Sequence, residues 1–274
     1  MKTAGVRRIL CHASRSEAAR DAAEGLQAEL RRAGLEVLER LEQASEHPPD
    51  LVIVLGGDGF LMETIRKLHY PPSAFFGVNF GTVGFLMNRK ECLPALIPMI
   101  QAWDFQEEDH SILAARIRLE DGSEVDALAF NDFVMERMSR QSIRLKVYLD
   151  GNCFNRFAGD GFVLATAAGS TAYNIAAGGP VLHPAVQAIV ITPLYPHRAA
   201  PFHSLQFSLL VPLESRLRIV NDDLPKRSMR VVADGRLIER VEEIEVMDSR
   251  RKLRLLRPPS HLFVNTLARK FIGG

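Results

Sequence analysis

Four short stretches of this sequence carry side chains that could act on a polar substrate. The first is Gly56-Gly57-Asp58-Gly59, set directly after the apolar run Leu51 to Leu55. A continuous apolar run suits a strand covered on both faces of a parallel sheet, and such sheets bind ligands at the carboxyl ends of their strands. Glycines there let backbone N–H groups approach a phosphate without a Cβ clash. The helical pattern that follows, Leu61, Met62, Ile65 and Leu68, offers its N-terminus to anions. A carboxylate at Asp58 could face a hydroxyl nucleophile or a magnesium ion; equally, it could cap the next helix. Neither a Gly-x-x-x-x-Gly-Lys-Ser/Thr loop nor a Gly-x-Gly-x-x-Gly loop follows the early strands.

The second stretch, Gly169-Ser170-Thr171-Ala172-Tyr173-Asn174, places hydroxyls, an amide and small residues at the expected start of a helix. It suits hydrogen bonding to a ribose or an amide, or an ordinary helix cap with Tyr173 in the core. The third is Asn131-Asp132, read as the end of the apolar run Leu128 to Phe130, where such a pair either turns the chain or meets a ligand. The fourth is Gly159-Asp160-Gly161.

These stretches need a scaffold, and the hydrophobic pattern supplies one in two parts. From Val6 to Trp103 apolar runs alternate with helical periodicity: a strand over Val6 to Cys11 and a helix through Ala19, Ala22, Ala23, Leu26, Leu30 and Ala33. Ser14 and Glu17 have capping-box spacing, and Gly34 is the stop. A second strand is expected within Leu35 to Leu41, a loop over Glu42 to Asp50, a strand over Ser73 to Val78 and a helix over Lys90 to Trp103. From about His110 the runs Ile112–Leu119, Val125–Phe130, Ile143–Leu149, Phe207–Val211, Leu217–Val220, Met229–Ala233 and Leu237–Val246 read as strands. Asp121-Gly122, Asp150-Gly151 and Asp234-Gly235 stand between such runs as hairpin turns. A short helix is expected at Ser170 to Ala177, and another in the tail, with Leu262, Phe263, Leu267 and Phe271 at helical spacing. The expected fold is an α/β domain with a parallel sheet over residues 1–105, a β-rich domain over 106–258, and a C-terminal helix over 259–274 returning to the first.

Of the 274 residues, 47% are hydrophobic and 24% charged, with a net charge of +1, so composition favours a globular protein and gives no sign of nucleic-acid or membrane partners. The N-terminal residues lack an apolar signal core, and no run approaches a membrane span. Cys11, Cys92 and Cys153 fit neither a disulfide framework nor a zinc spacing, and His183, His197 and His203 lack ligand spacing. A cytoplasmic protein without a structural metal is expected.

Taken together, in this order, the four stretches resemble the NAD kinase family. The resemblance runs from about Leu51 to Pro212 and includes Gly77-Val78-Asn79, Gly84-Phe85-Leu86 and Thr192-Pro193. Gly-Gly-Asp-Gly alone is shared with diacylglycerol, sphingosine and sugar kinases, whereas Gly-Ser-Thr-Ala-Tyr is more specific. The resemblance implies phosphorylation of the 2′-hydroxyl of the adenosine ribose of NAD by ATP or polyphosphate, with Mg2+ carried on the nucleotide, in homodimers or homotetramers. It implies that Asp58 is the general base and orienting carboxylate, beside Gly57, Gly59, Phe60 and Phe85. Asn131, Asp132, Thr171, Ala172, Tyr173 and Asn174 would line the NAD site, with Asp160 and Asp234 near it. A carboxylate is a weak base, so orientation is the larger part of that role. The implied fold is an α/β domain with a β-sandwich-like one.

Three positions depart from the usual family pattern: Phe60 in place of Thr, Asp132 in place of Glu, and Thr166-Ala167-Ala168 in place of Thr-Pro-Thr. A carboxylate shortened at Asp132 leaves room for a water. The rival readings are a lipid kinase sharing Gly-Gly-Asp-Gly, which would have no use for Gly169 to Asn174, and a dinucleotide-binding sensor without turnover. Arg137, Arg140, Arg144 and Arg156, between the motifs, are read as solvated in preference to phosphate-binding.

Overall fold

The computed structural model describes residues 6–81, 84–198, 203–224 and 226–272. The chain forms two compact units, residues 1–109 with 253–274 and residues 110–252. Its first elements are β1 (Arg8–Ala13), α1 (Glu17–Arg32), β2 (Glu36–Leu38), α2 (Leu41–Glu46), β3 (Leu51–Gly56), α3 (Asp58–Lys67), β4 (Ala74–Asn79) and α4 (Leu93–Ala102). The strands pair in parallel in the order β4, β3, β1, β2. Every residue of β3 is buried, as its unbroken apolar run requires of a central parallel strand. Helix α1 buries Ala19, Ala23, Leu26 and Leu30 and joins the core of this sheet.

Two local expectations change here. The cap of α1 is Ser16, whose hydroxyl accepts from the Ala19 N–H at 3.3 Å. Ser14 is still leaving the sheet, its N–H bonded to the Leu55 carbonyl, and so cannot serve. The polar segment expected as a loop holds the short helix α2, because the Gln43 side chain accepts from the N–H groups of Glu39 and Arg40, and His47-Pro48-Pro49 then ends it. A 3₁₀ turn at Lys90–Cys92 leads into α4, which stops at Trp103 in a left-handed conformation.

The second run of elements is β5 (Gln106–Leu119), β6 (Glu124–Ala129), β7 (Asp132–Arg137), β8 (Ile143–Leu149), β9 (Asn152–Gly159), β10 (Gly161–Ala165), α5 (Tyr173–Ala176), β11 (Ala188–Leu194), β12 (Leu209–Pro212), β13 (Leu217–Asn221), β14 (Met229–Ala233) and β15 (Arg236–Arg257), followed by α6 (Phe263–Phe271). Antiparallel pairing gives the order β12, β11, β10, β7, β14, β15, with β8 and β9 joined through β13 and with β6 beside β5. Asp150-Gly151 and Asp234-Gly235 turn their hairpins with both residues at positive φ. Strand β15 pairs with β14, then β13, and its last part, in the first unit, lies parallel to β4 through Arg254 and Leu255.

Strands β7, β9, β10 and β11 are additional to those expected. β10 and β11 are buried at every position, so they lack the alternation that marks a half-exposed strand, and β11 contains Pro193. Asn131-Asp132 follows the end of a strand as read, and a further strand starts there: β6 stops at Ala129, Asn131 joins it to β7, and Asp132 begins β7.

The core of the second unit gathers the inward faces of these strands around Phe133, Phe157 and Phe162. The last two rings lie 4.2 Å apart between centroids, and both are fully buried. Phe162→Ala should therefore cost about 3–5 kcal/mol, read as a lower urea midpoint; a midpoint unchanged within error would show that this pair does not anchor the core.

Candidate functional site

Asp58 is the first residue of α3, and Gly57 precedes it as the N-cap with extended backbone. Among the described residues, a Cβ added at Gly57 or Gly59 would meet no atom within 4 Å beyond its chain neighbours and the helix's own backbone, so the turn faces open space where backbone N–H groups can meet a ligand. The Asp58 carboxylate points the other way from a simple cap. Its Oδ2 accepts from the Phe85 N–H at 2.7 Å and its Oδ1 from the Leu86 N–H at 3.2 Å. Gly84 makes this possible, since a Cβ there would lie 2.1 Å from Asp58 Oδ1. Phe85 is buried, with its ring 5.9 Å from that of Phe271 in α6 and the Lys270 ammonium above it. Phe60 folds back over Gly56 and stacks on His12 with ring centroids 4.9 Å apart, an apolar contact that a Thr could not make. Burial holds the His12 imidazole below its ordinary pKa.

In the second unit Asp234 organises the Asn131-Asp132 corner. Its carboxylate accepts from the N–H groups of Phe130 at 2.6 Å, Asn131 at 2.9 Å and Asp132 at 3.2 Å. Asp234 is thus both the hairpin residue and the clamp for this corner. Asn131 Oδ1 is buried without a hydrogen-bond partner among the described residues, the state of an acceptor awaiting a donor. Thr166 locks the same corner to the following turn: its hydroxyl donates to the Phe130 carbonyl and accepts from the Gly169 N–H. Gly169 packs so tightly that a Cβ would sit 1.9 Å from the Asn131 carbonyl oxygen.

The Gly169-Ser170-Thr171 turn is a 3₁₀ helix, and Ala172 is the N-cap of α5. Ser170 is buried, donating to the Ala167 carbonyl and accepting from the Leu182 N–H, and the Thr171 hydroxyl donates to the Ala168 carbonyl. Tyr173 projects with 45% of its surface exposed. Asn174 is fully buried, its amide donating to the carbonyls of Ser170 and Pro180 and accepting from the Thr192 hydroxyl, so it braces the turn from beneath.

Asp160 pairs with Arg137 at 2.7 Å. A cavity of about 230 Å³ brings Asp160 and Tyr173 together with Glu136, Arg137, Leu194, Tyr195 and Arg230. Glu136, Leu194, Tyr195 and Arg230 carried no motif signal, because strand pairing brings them there from separate stretches. Arg144 lies 3.8 Å from Asp223, while Arg140 and Arg156 are exposed.

A carboxylate pinned beside a glycine-lined helix N-terminus, and a second polar corner ordered by another aspartate, are parts suited to handling a phosphorylated nucleotide. Residues 130–257 match the family model of the ATP-NAD kinase C-terminal domain, which sets the class as a kinase. The NAD kinase of Xanthomonas campestris pv. campestris is 33% identical over 229 residues, spanning 82% of this chain and 86% of that protein. That of Thermomicrobium roseum is 33% identical over 227 residues, spanning 81% and 75%. Among solved structures, yeast NADH kinase complexed with NADH superposes with a TM-score of 0.84 at 21% identity, covering 98% of this chain and 88% of that one. An NAD kinase from Archaeoglobus fulgidus in complex with ATP gives 0.77 at 22% identity, covering 96% and 98%. The chain belongs to the NAD kinase family.

Burial first, and then the neighbouring Asp234 carboxylate, pushes the Asp132 carboxyl up to about 7. The folded value lies above the unfolded one, so the folded protein holds an extra proton between about pH 4 and 7 and loses stability as pH rises through that window. Asp132→Asn should abolish the loss. Its gain in melting temperature over the wild type should be larger at about pH 8 than at about pH 4; equal gains at both would show that Asp132 does not titrate there.

Proposed function

We propose that this kinase transfers a phosphoryl group from ATP or polyphosphate to the 2′-hydroxyl of the adenosine ribose of NAD, with Asp58 orienting that hydroxyl. The observation that carries the assignment is the Asp58 carboxylate, fixed by two backbone N–H groups beside an open glycine turn. An ionised carboxylate has about four acceptor positions. Two are taken by Phe85 and Leu86, which leaves the others to receive a hydroxyl proton or a water. Phosphoryl transfer asks little covalent chemistry of a protein, so a carboxylate that cannot swing away supplies the positioning on which the rate depends.

The NAD side is assigned to the second unit. Asn131 and Asp132 would bind the adenosine portion, with the unpartnered Asn131 Oδ1 as acceptor for a donor on the ligand. Thr171, Ala172 and the exposed Tyr173 ring would line the same site, with Asn174 and Asp234 holding its two turns. Asp160 would face the ligand from the small cavity it shares with Tyr173.

A divalent cation fits the residues present as cargo of the nucleotide. Mg2+ commonly keeps several waters and takes one or two carboxylates together with substrate phosphates, and Asp58 offers one such carboxylate at the turn. Among the described residues no group of three or more His, Cys, Asp or Glu is placed to hold a metal. When bound, the cation neutralises charge on the transferred group.

No helix among the described residues is long and apolar enough to cross a membrane. On the family likeness, the enzyme is proposed to be cytoplasmic and to work as a homodimer or homotetramer.

The test is NADP formation from NAD, ATP and Mg2+, followed with an NADP-specific dehydrogenase, with NADH and polyphosphate as alternative substrates. Asp58→Asn should keep the fold and lose at least about 100-fold in turnover. Gly84→Ala, which forces the carboxylate off its N–H groups, should lose a similar factor. Turnover of Asp58→Asn within a few-fold of the wild type would remove Asp58 from the mechanism.

A further inference from the structure

Arg257, the last residue of β15, is 3% exposed. A guanidinium is costly to bury, and a packed apolar side chain is often as stable in its place. Its hydrogen bonds indicate what its burial achieves. Nη1 donates to the Leu86 carbonyl at 2.8 Å and Nη2 to the Phe85 carbonyl at 3.3 Å, while Nε donates to Glu108 at 2.8 Å.

Phe85 and Leu86 are the two residues whose N–H groups hold Asp58. The peptide unit joining them is therefore held at both ends, its C=O by Arg257 and its N–H by Asp58. A cation on the carbonyl polarises the peptide and strengthens the N–H as a donor. The segment has further anchors. Asn88 gives its N–H to the Gly77 carbonyl in β4 and its side-chain amide to the Leu256 carbonyl in β15. Glu108 sets the plane of the guanidinium, and His261 lies 3.7 Å from the same carboxylate.

We infer that Arg257 is a positioning residue for Asp58, acting through the Phe85–Leu86 peptide, with Glu108 orienting the guanidinium. The inference rests on the reading of Asp58 given above. Arg257, buried with its donors on Leu86, Phe85 and Glu108, is a positioning group and not a contact group. It fixes the angle at which the Asp58 carboxylate meets the ribose hydroxyl, so its loss should appear in kcat and not in the binding of NAD. Lysine keeps the charge but cannot span two carbonyls and a carboxylate at once, because it lacks the planar fork.

The experiment measures kcat and KM for NAD in the full-length enzyme for Arg257→Lys, Glu108→Gln, Asp58→Asn and the double variant Asp58→Asn/Arg257→Lys, each with its melting curve. Arg257→Lys should lower kcat about 30-fold, with KM for NAD within about threefold of the wild type, the signature of misplaced reacting groups. The double variant should be no slower than Asp58→Asn alone, since a residue acting only through Asp58 has nothing left to position. Glu108→Gln, which leaves both carbonyl contacts available, should lower kcat about threefold or more at unchanged KM, and it decides the matter if Arg257→Lys fails to fold. A folded Arg257→Lys with wild-type kcat, a rise in KM alone, a fully multiplicative loss in the double variant, or no kcat effect in Glu108→Gln would each overturn the proposal. A slow Asp58→Asn beside a fast Arg257→Lys would overturn the positioning role and leave Asp58 in place, whereas a fast Asp58→Asn would remove both.

Discussion

Hydrogen bonding of carboxylates to backbone N–H groups organises the two polar turns of the candidate site. Loop N–H groups have no ladder partner and are costly to bury unpaired. Asp58 satisfies two of them, on Phe85 and Leu86, and Asp234 satisfies three, on Phe130, Asn131 and Asp132. In each case one short side chain fixes the course of a segment distant in sequence. Both aspartates sit where the chain changes direction, Asp58 at the start of α3 and Asp234 in a hairpin at positive φ. The surrounding glycines follow from this arrangement. Gly84 admits the Asp58 carboxylate and Gly169 admits the Asn131 carbonyl, and neither place has room for a Cβ.

The same arrangement explains which parts of the site were legible in the sequence. Leu51 to Leu55 running into Gly56-Gly57-Asp58-Gly59 announces a buried strand, a glycine turn and a helix, and β3, which runs one residue further to Gly56, and α3, which starts at Asp58, match it closely. Likewise the Asp-Gly pairs announced hairpins. Less legible were elements whose identity comes from partners. β10 and β11 are buried on both faces and show no period, and α2 depends on Gln43 reaching back to two N–H groups. Asn131-Asp132 was legible as a turn after a strand, but nothing nearby in sequence reveals that Asp234, about a hundred residues on, holds it as a corner between two strands. Arg257 gave no signal at all, since an arginine ending an apolar strand looks like a solvated one until Glu108 and the Phe85–Leu86 carbonyls are brought to it.

Phe60 shows how a departure from the usual family pattern can be absorbed. Its ring turns away from the open side of the glycine turn, covers Gly56 and stacks on His12. The turn thus exchanges a hydroxyl for a packed aromatic pair, while the backbone N–H groups remain at the helix start. A site that reads phosphate through its backbone tolerates such an exchange more readily than one that reads it through side chains.

The long strand β15 begins in the second unit and finishes, from Leu253 onward, in the first. In chain order the second unit is therefore an insertion, and the first is completed only by residues made after it. During synthesis the Ala74–Phe75 part of β4 has its second edge uncovered until Arg254 and Leu255 emerge to pair with it, while Asn88 already pairs with the strand's end. Arg257 emerges at the same moment, so the Phe85–Leu86 segment has no guanidinium to hold it in the nascent α/β layer. Assembly of the Asp58 turn is thus coupled to translation of the entire second unit and of the chain on to Arg257, and until then the open edge is a place where a chaperone or a misassembled neighbour could find a foothold.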